Sequence, residues 1–152
     1  MDKKKNILVV DDDESIATSI KAILQAEGYS VDVAKTGREA IEKSKTKFYN
    51  LALLDIVLPD MEGTKLLTQI HGTTPTMVKI MVTGYPSLEN AVEAVNLGAD
   101  AYVMKPVKPD ELLKVVGKKL KEQEEAEKMS EDKVADWIKT RIRKLESKPK
   151  KE

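Results

Sequence analysis

Ile7-Leu8-Val9-Val10-Asp11-Asp12 sets four apolar residues directly before two carboxylates. A short unbroken apolar run ending in polar residues is what a strand buried on both faces looks like, so Asp11 and Asp12 stand where such a strand stops. The same punctuation recurs in order along the chain. Leu51-Ala52-Leu53-Leu54 runs into Asp55, Ile80-Met81-Val82 into Thr83, and Ala101-Tyr102-Val103-Met104 into Lys105-Pro106. In an open parallel α/β sheet, ligands bind in the crevice outside the carboxyl ends of the strands. All four signals would then converge on one site. Singly, an Asp after an apolar run is commonly a helix cap or turn former; the ordered set carries the reading.

Strands expected at about 6–10, 30–33, 50–54, 77–82 and 101–104 alternate with helical patterns, which argues for an α/β fold with a parallel sheet covered on both faces. Asp13 and Glu14 belong to the start of the first helix, where negative charge is favoured, and not to the site. Gly28 suits the position after that helix. Thr36-Gly37-Arg38-Glu39 reads as a capping box. A third helix is expected from about Glu62 to Ile70, with Gly72-Thr73-Thr74-Pro75 as the following loop. Ser87 would cap a fourth helix ending near Leu97-Gly98, and Pro109 suits the first turn of a fifth.

Together with Pro59, Gly63, Thr83-Gly84 and Gly98-Ala99-Asp100, these motifs resemble the receiver domain of two-component response regulators over about residues 5–122. The resemblance implies a flavodoxin-like, doubly wound five-stranded parallel sheet of order 2-1-3-4-5, with the first and third strands at the switch point. It makes Asp55 the phosphoryl acceptor. Asp12 and Asp55 would hold Mg²⁺ by carboxylate, Asp11 mainly through water, and Val57 through its backbone carbonyl. Lys105 would pair with a phosphoryl oxygen, and Thr83 would donate its hydroxyl to another. The resemblance also implies a Thr83–Tyr102 switch and a cis peptide between Lys105 and Pro106.

The residue types support that chemistry. Three carboxylates and one ammonium gathered in one pocket carry a formal charge of about −2, which is unfavourable without a counter-ion. Oxygen donors suit Mg²⁺, whereas Zn²⁺ usually takes His or Cys; the chain has no Cys and one His. An Asp carboxylate is a known covalent phosphoryl acceptor, and the loose transition state needs positioning and charge more than further covalent chemistry. Val57, two residues after Asp55, and Tyr85, two after Thr83, offer no charged group to orient a hydrolytic water, so slow autodephosphorylation is expected.

Composition bounds the rest. The chain has 152 residues, 41% of them hydrophobic, with 26 basic and 26 acidic side chains. That suffices for one domain plus an extension, and zero net charge suggests no steering toward nucleic acid. No stretch is long and apolar enough for a membrane span. The reading is a soluble cytoplasmic protein that takes phosphoryl from a sensor histidine kinase or phosphotransfer protein and signals to a downstream protein effector. No direct nucleic-acid contact is expected, and a phosphorylation-dependent dimer is allowed. The chemistry would be self-catalysed phosphoryl acceptance and autodephosphorylation only, not that of an enzyme. A hydrolase using an aspartyl phosphate would need a second Asp where Val57 stands, and no Walker-type loop is present.

The receiver is expected over 1–122, followed over 123–152 by a charged segment and an amphipathic helix. Lys121 to Lys128 has almost nothing to bury and reads as a linker or a solvated helix continuation. A new helix over about 131–147 would start with Ser130 as cap and Met129 stapled against Val134. Its stripe of Val134, Trp137, Ile138, Ile142 and Leu145 would pack on the receiver, on a partner or on itself. The competing functions are a phosphorylation-independent interaction module acting through this helix, and the receiver fragment of a larger regulator. His71 reads as a surface residue or helix terminator.

Overall fold

The computed structural model describes residues 4–84 and 88–147. Five βα units follow one another: β1 (Asn6–Val10), α1 (Glu14–Ala26), β2 (Ser30–Ala34), α2 (Gly37–Thr46), β3 (Leu51–Asp55), α3 (Gly63–Thr73), β4 (Val78–Thr83), α4 (Leu88–Asn96), β5 (Ala101–Met104) and α5 (Pro109–Ser147). All pairings are parallel and the strand order is β2-β1-β3-β4-β5. The central strand β3 is buried along its whole length, as the run Leu51–Leu54 requires. Alternate side chains divide the core in two. Ile7, Val9, Leu53, Ile80 and Val82 pack with α1 and the start of α5, where Leu112, Val116 and Leu120 are buried. Leu8, Val10, Leu54 and Met81 pack with Leu66, Leu67 and Ile70 of α3.

Local chemistry sets most helix ends. Asp13 caps α1, its carboxylate accepting from Ile16 N–H at 3.1 Å. Gly28 follows with φ +102°, a left-handed turn that glycine adopts without penalty. Thr36 Oγ1 accepts from Glu39 N–H at 3.0 Å, while the Glu39 carboxylate reaches one residue further than a capping box predicts, to Lys35 N–H at 3.0 Å. Helix α3 runs to Thr73, so Gly72 and Thr73 lie inside it; the Thr73 hydroxyl bonds back to the carbonyls of Gln69 and Ile70 and keeps the turn closed. Ser87 and Tyr85 lie outside the described residues.

One buried polar feature is invisible in the apolar pattern. Lys79 on β4 is 1% exposed, with Nζ 2.9 Å from His71 Nδ1 and donating to the Pro75 carbonyl at 3.1 Å. Burial pulls this ammonium below the usual lysine range, against the opposing charge of Asp100. His71 is an exposed residue in the last turn of α3, as expected, yet its ring also lies against Gly98, where a Cβ would sit 2.7 Å from Nδ1.

The chain divides into two compact units after Leu120. Of the two readings of 121–128, linker or helix continuation, α5 takes the second: it includes 121–130, so Ser130 lies within a helix and does not cap a new one. The reason is propensity. From Lys118 to Ser147 the chain has no Gly or Pro, and Lys121–Lys128 is built of Glu, Lys, Gln and Ala, all strong helix formers. Within the second unit Val134, Trp137, Ile138, Ile142 and Leu145 are all exposed.

Candidate functional site

Parallel pairing places the ends of β1, β3 and β4 side by side, because Val10 is level with Leu54 and Asp55 with Val82. The residues that follow or end those strands meet at one edge. Oxygen atoms of Asp11, Asp12 and Asp55 all lie within 4.8 Å of one another. Asp11 and Asp55 are buried and Asp12 is exposed. Lys105, just beyond β5, reaches across the group: its Nζ is 3.0 Å from Asp11 Oδ2 and 3.2 Å from Asp55 Oδ2. The peptide between Lys105 and Pro106 is cis. Thr83 is buried at the end of β4, and its carbonyl accepts from Lys105 N–H at 2.7 Å, tying two of the expected site residues by backbone.

The two buried carboxylates are held. Asp11 Oδ1 accepts from Asp13 N–H at 2.9 Å, and Asp55 Oδ1 from Val57 N–H at 3.2 Å. Burial pushes the Asp55 carboxyl above its ordinary value, and the charge of Asp11 adds to this against the opposing Lys105 ammonium and Val57 N–H. For Lys105, burial alone would lower the pKa. The hydrogen bond to Asp11 and the charges of Asp55 and Asp11 outweigh that and hold the ammonium above the usual lysine value.

The donor set fits a hard divalent cation. Carboxylate oxygens without Cys or His suit Mg²⁺, and those of Asp11, Asp12 and Asp55 already gather within 4.8 Å of one another. Two carboxylates suffice when waters fill the other positions.

Two supports have roles that only the structure shows, although Gly63 is among the motifs that carry the resemblance. Gly63, the first residue of α3, lies so close behind Asp55 that a Cβ there would fall on the Asp55 carbonyl oxygen. Asp60 accepts from the N–H groups of Gly37 at 2.8 Å and Arg38 at 2.9 Å, clamping the loop after β3 onto the start of α2. Those backbone bonds, Arg38's first, hold the Asp60 carboxyl below its ordinary range. An acid opposite a helix N-terminus is a sensible partner, but only the fold brings residues 37 and 60 together.

Tyr102 of β5 is half-buried against the core on the α3 side. Its hydroxyl is buried and meets no hydrogen-bond partner among the described residues. Leaving such a group unpaired costs about 1–3 kcal/mol. Tyr102→Phe is therefore expected to raise the stability by about 1 kcal/mol, measured as a higher urea midpoint at unchanged slope; a lower midpoint would show that the hydroxyl is satisfied.

A family profile described as the response regulator receiver domain matches residues 7–117. Among solved structures, the chain is similar to a response regulator receiver domain protein (CheY-like) from Methanospirillum hungatei JF-1, with 56% identity and a TM-score of 0.80 over 82% of this chain and 99% of that one. It is also similar to NtrX from Brucella abortus, with 30% identity and a TM-score of 0.80 over 84% of this chain and 30% of that one. Among named relatives, the transcriptional regulatory protein ZraR of Escherichia coli K12 is 38% identical over 115 residues, 76% of this chain and 26% of ZraR. DltR of Streptococcus agalactiae is 40% identical over 107 residues, 70% of this chain and 48% of DltR. The chain thus spans about a quarter to a half of these regulators.

Proposed function

Because the chain belongs to the response regulator receiver family, whose members act as phosphoacceptors in two-component signalling, we propose that Asp55 is its phosphoryl acceptor, fed by a phosphohistidine on a sensor kinase or phosphotransfer protein. The observation that carries this reading is the Asp11–Asp12–Asp55 cluster with Lys105 bridging two of its members. Receiver domains generally bind Mg²⁺ at an acidic pocket. Here Asp12 and Asp55 would hold it by carboxylate, Asp11 mainly through water and Val57 by its carbonyl, and the ion supplies positive charge that brings the pocket close to neutral.

A carboxylate oxygen of Asp55 forms the new P–O bond as the P–N bond to the donor imidazole breaks, and the imidazole nitrogen keeps the bonding pair. Lys105 is already within 3.2 Å of the reacting carboxylate, so its ammonium follows the charge that develops on the phosphoryl oxygens. Thr83 donates its hydroxyl to the product, and with Tyr102 passes the change to the surface of α4, β5 and the start of α5. Val92 and Val95 on α4 and Met104 on β5 are exposed there, the kind of apolar surface a protein effector would cover. The chemistry begins and ends on the chain's own Asp55, so the protein is a self-modifying switch, not an enzyme acting on a separate substrate. No helix among the described residues is long and apolar enough to cross a membrane, and a cytoplasmic location accords with a kinase donor. The described residues supply no direct nucleic-acid contact in this reading. The exposed stripe on α5 favours a second reading, an interaction module that works without phosphorylation.

Incubation with acetyl phosphate separates the two. Intact mass is expected to show one phosphoryl adduct per chain with Mg²⁺ and none with a chelator; absence of an adduct in Mg²⁺ would leave only the second reading. Val57 is 60% exposed, two residues beyond the acceptor. An amide there would hydrogen-bond the attacking water, and one such bond of about 1 kcal/mol corresponds to roughly a fivefold rate. Val57→Asn is therefore expected to shorten the phosphoprotein lifetime by about that factor, and an unchanged decay would refute the assignment.

A further inference from the structure

We propose that Asp60 is a positioning residue for phosphoryl acceptance: by tying the loop after β3 to the first turn of α2 it fixes Val57, and through Val57 the Mg²⁺ site. The inference rests on the reading of Asp55 as phosphoryl acceptor and of the Val57 carbonyl as a Mg²⁺ ligand. Between Asp55 and the first residue of α3 the chain runs through residues 56–62. Val57 is held there by backbone bonds, its side chain being 60% exposed. Its N–H donates to Asp55 Oδ1 at 3.2 Å, so it also orients the carboxylate that reacts. Val57 faces Glu62 across an isolated antiparallel bridge, beside which Gly63 N–H meets the Ile56 carbonyl at 2.6 Å. The place of Val57 therefore follows that of the loop as a whole.

Leu58, Asp60 and Met61 anchor the far end of this loop. Leu58 is buried in the cluster that holds Leu54 and Leu66. Met61 packs against the same cluster and over Gly37, where it fills the space a Cβ would need. Those contacts are apolar and non-directional, so they set how deep the loop sits and leave it free to slide. Asp60 removes that freedom. Its two oxygens accept from two successive N–H groups, Gly37 at 2.8 Å and Arg38 at 2.9 Å, which fixes direction and register together. The first amides of a helix have no partner within it; Asp60 takes two of them, and Thr36 Oγ1 takes that of Glu39. Helix α2 is itself fixed, since Ala40 is buried in the cluster that holds Leu8, Val10 and Ala34 of the sheet. The carboxylate thus joins a loop to a rigid element. Mg²⁺ demands near-ideal octahedral geometry, so a loosened Val57 weakens the site even where every carboxylate is present.

Full-length wild type, Asp60→Ala and Thr36→Ala test this. Thr36→Ala removes a cap bond from the same helix end without touching the loop after β3, so it reports what a weakened α2 does by itself. The Mg²⁺ dissociation constant of each unphosphorylated protein is read from amide chemical shifts, and labelling by acetyl phosphate is followed by intact mass across a range of Mg²⁺ concentrations. Asp60→Ala is expected to weaken Mg²⁺ binding about tenfold, the lower end of what removing the partner of a metal ligand costs. The Mg²⁺ concentration for half-maximal labelling should rise by the same factor, with the rate at saturating Mg²⁺ returning to that of the wild type. Thr36→Ala is expected to lower the urea midpoint and to leave the Mg²⁺ dissociation constant unchanged. Equal constants in the wild type and Asp60→Ala, or an equal weakening by Thr36→Ala, would overturn the proposal while leaving Asp55 as acceptor. A wild type that binds no Mg²⁺ and takes no label would overturn the phosphoacceptor reading, and this inference with it.

Discussion

Asp55→Asn is expected to take no label from acetyl phosphate and, without divalent metal, to unfold several degrees above the wild type. The first effect follows from the loss of the nucleophilic carboxylate that Lys105 and the Val57 N–H both hold. The second follows from linkage. Burial, then the charge of Asp11, raises the folded-state pKa of Asp55 above its unfolded value. A carboxyl raised in this way favours the fold most when protonated, below its unfolded pKa, and that contribution is lost as the pH rises through the folded value. Above that value the fold disfavours the ionised carboxylate, and the amide removes the charge while keeping the shape. A gain near 1 kcal/mol corresponds to a melting shift of about 3–6 °C for a unit of this size. Mg²⁺ should close the gap, since a ligand at ten times its Kd stabilises by about 1.4 kcal/mol and the wild type offers one more carboxylate. Thermal melts of both proteins with and without Mg²⁺, beside intact-mass spectra, check this. An adduct retained by the variant, or a variant less stable than the wild type without metal, would remove Asp55 from its role.

Gly63→Ala is expected to destabilise the receiver unit by about 3 kcal/mol or more, which is a large part of the 5–15 kcal/mol typical of a domain. The added Cβ would meet the Asp55 carbonyl oxygen and lie 2.6 Å from Ile56 Cα and 2.9 Å from the Asp55 carbonyl carbon. All three are backbone atoms, so no side-chain rotation relieves the overlap. The loop after β3 must move, and Gly63 N–H would lose its bond to the Ile56 carbonyl, now 2.6 Å. Because that loop starts directly after Asp55 and carries Val57, phosphoryl acceptance should fall too; misplacement by about 1 Å can cost 10²-fold. Gly72 provides the control within the same helix. Nothing lies within 4 Å of a Cβ there, so Gly72→Ala should be stabilising by about 0.5–1 kcal/mol. Urea denaturation of the two variants reads the difference, and equal effects would contradict the steric account.

Much of this was legible in the chain because it is local. An apolar run and the polar residue that ends it are contiguous, so β1, β3, β4 and β5 and their terminal Asp11, Asp55, Thr83 and Lys105 could be read together. Caps such as Asp13 and Thr36, and Pro109 at the first position of α5, depend on three or four neighbouring residues. The choice between linker and helix continuation at Lys121–Lys128 stayed open for the converse reason. A segment with nothing to bury lacks the periodicity that marks a helix, yet Lys121–Lys128 is helical through propensity alone.

By itself, then, the amino-acid order determined the succession of βα units and which side chains end the strands, since strand and helix signals act within a few residues. The folded arrangement alone decided that Lys105 lies between Asp11 and Asp55, that Asp60 holds α2, that Lys79 is buried beside His71, and that Gly63 has no room for a side chain. Those facts are distances between atoms that the chain separates by up to about ninety residues, and packing, not local preference, sets them.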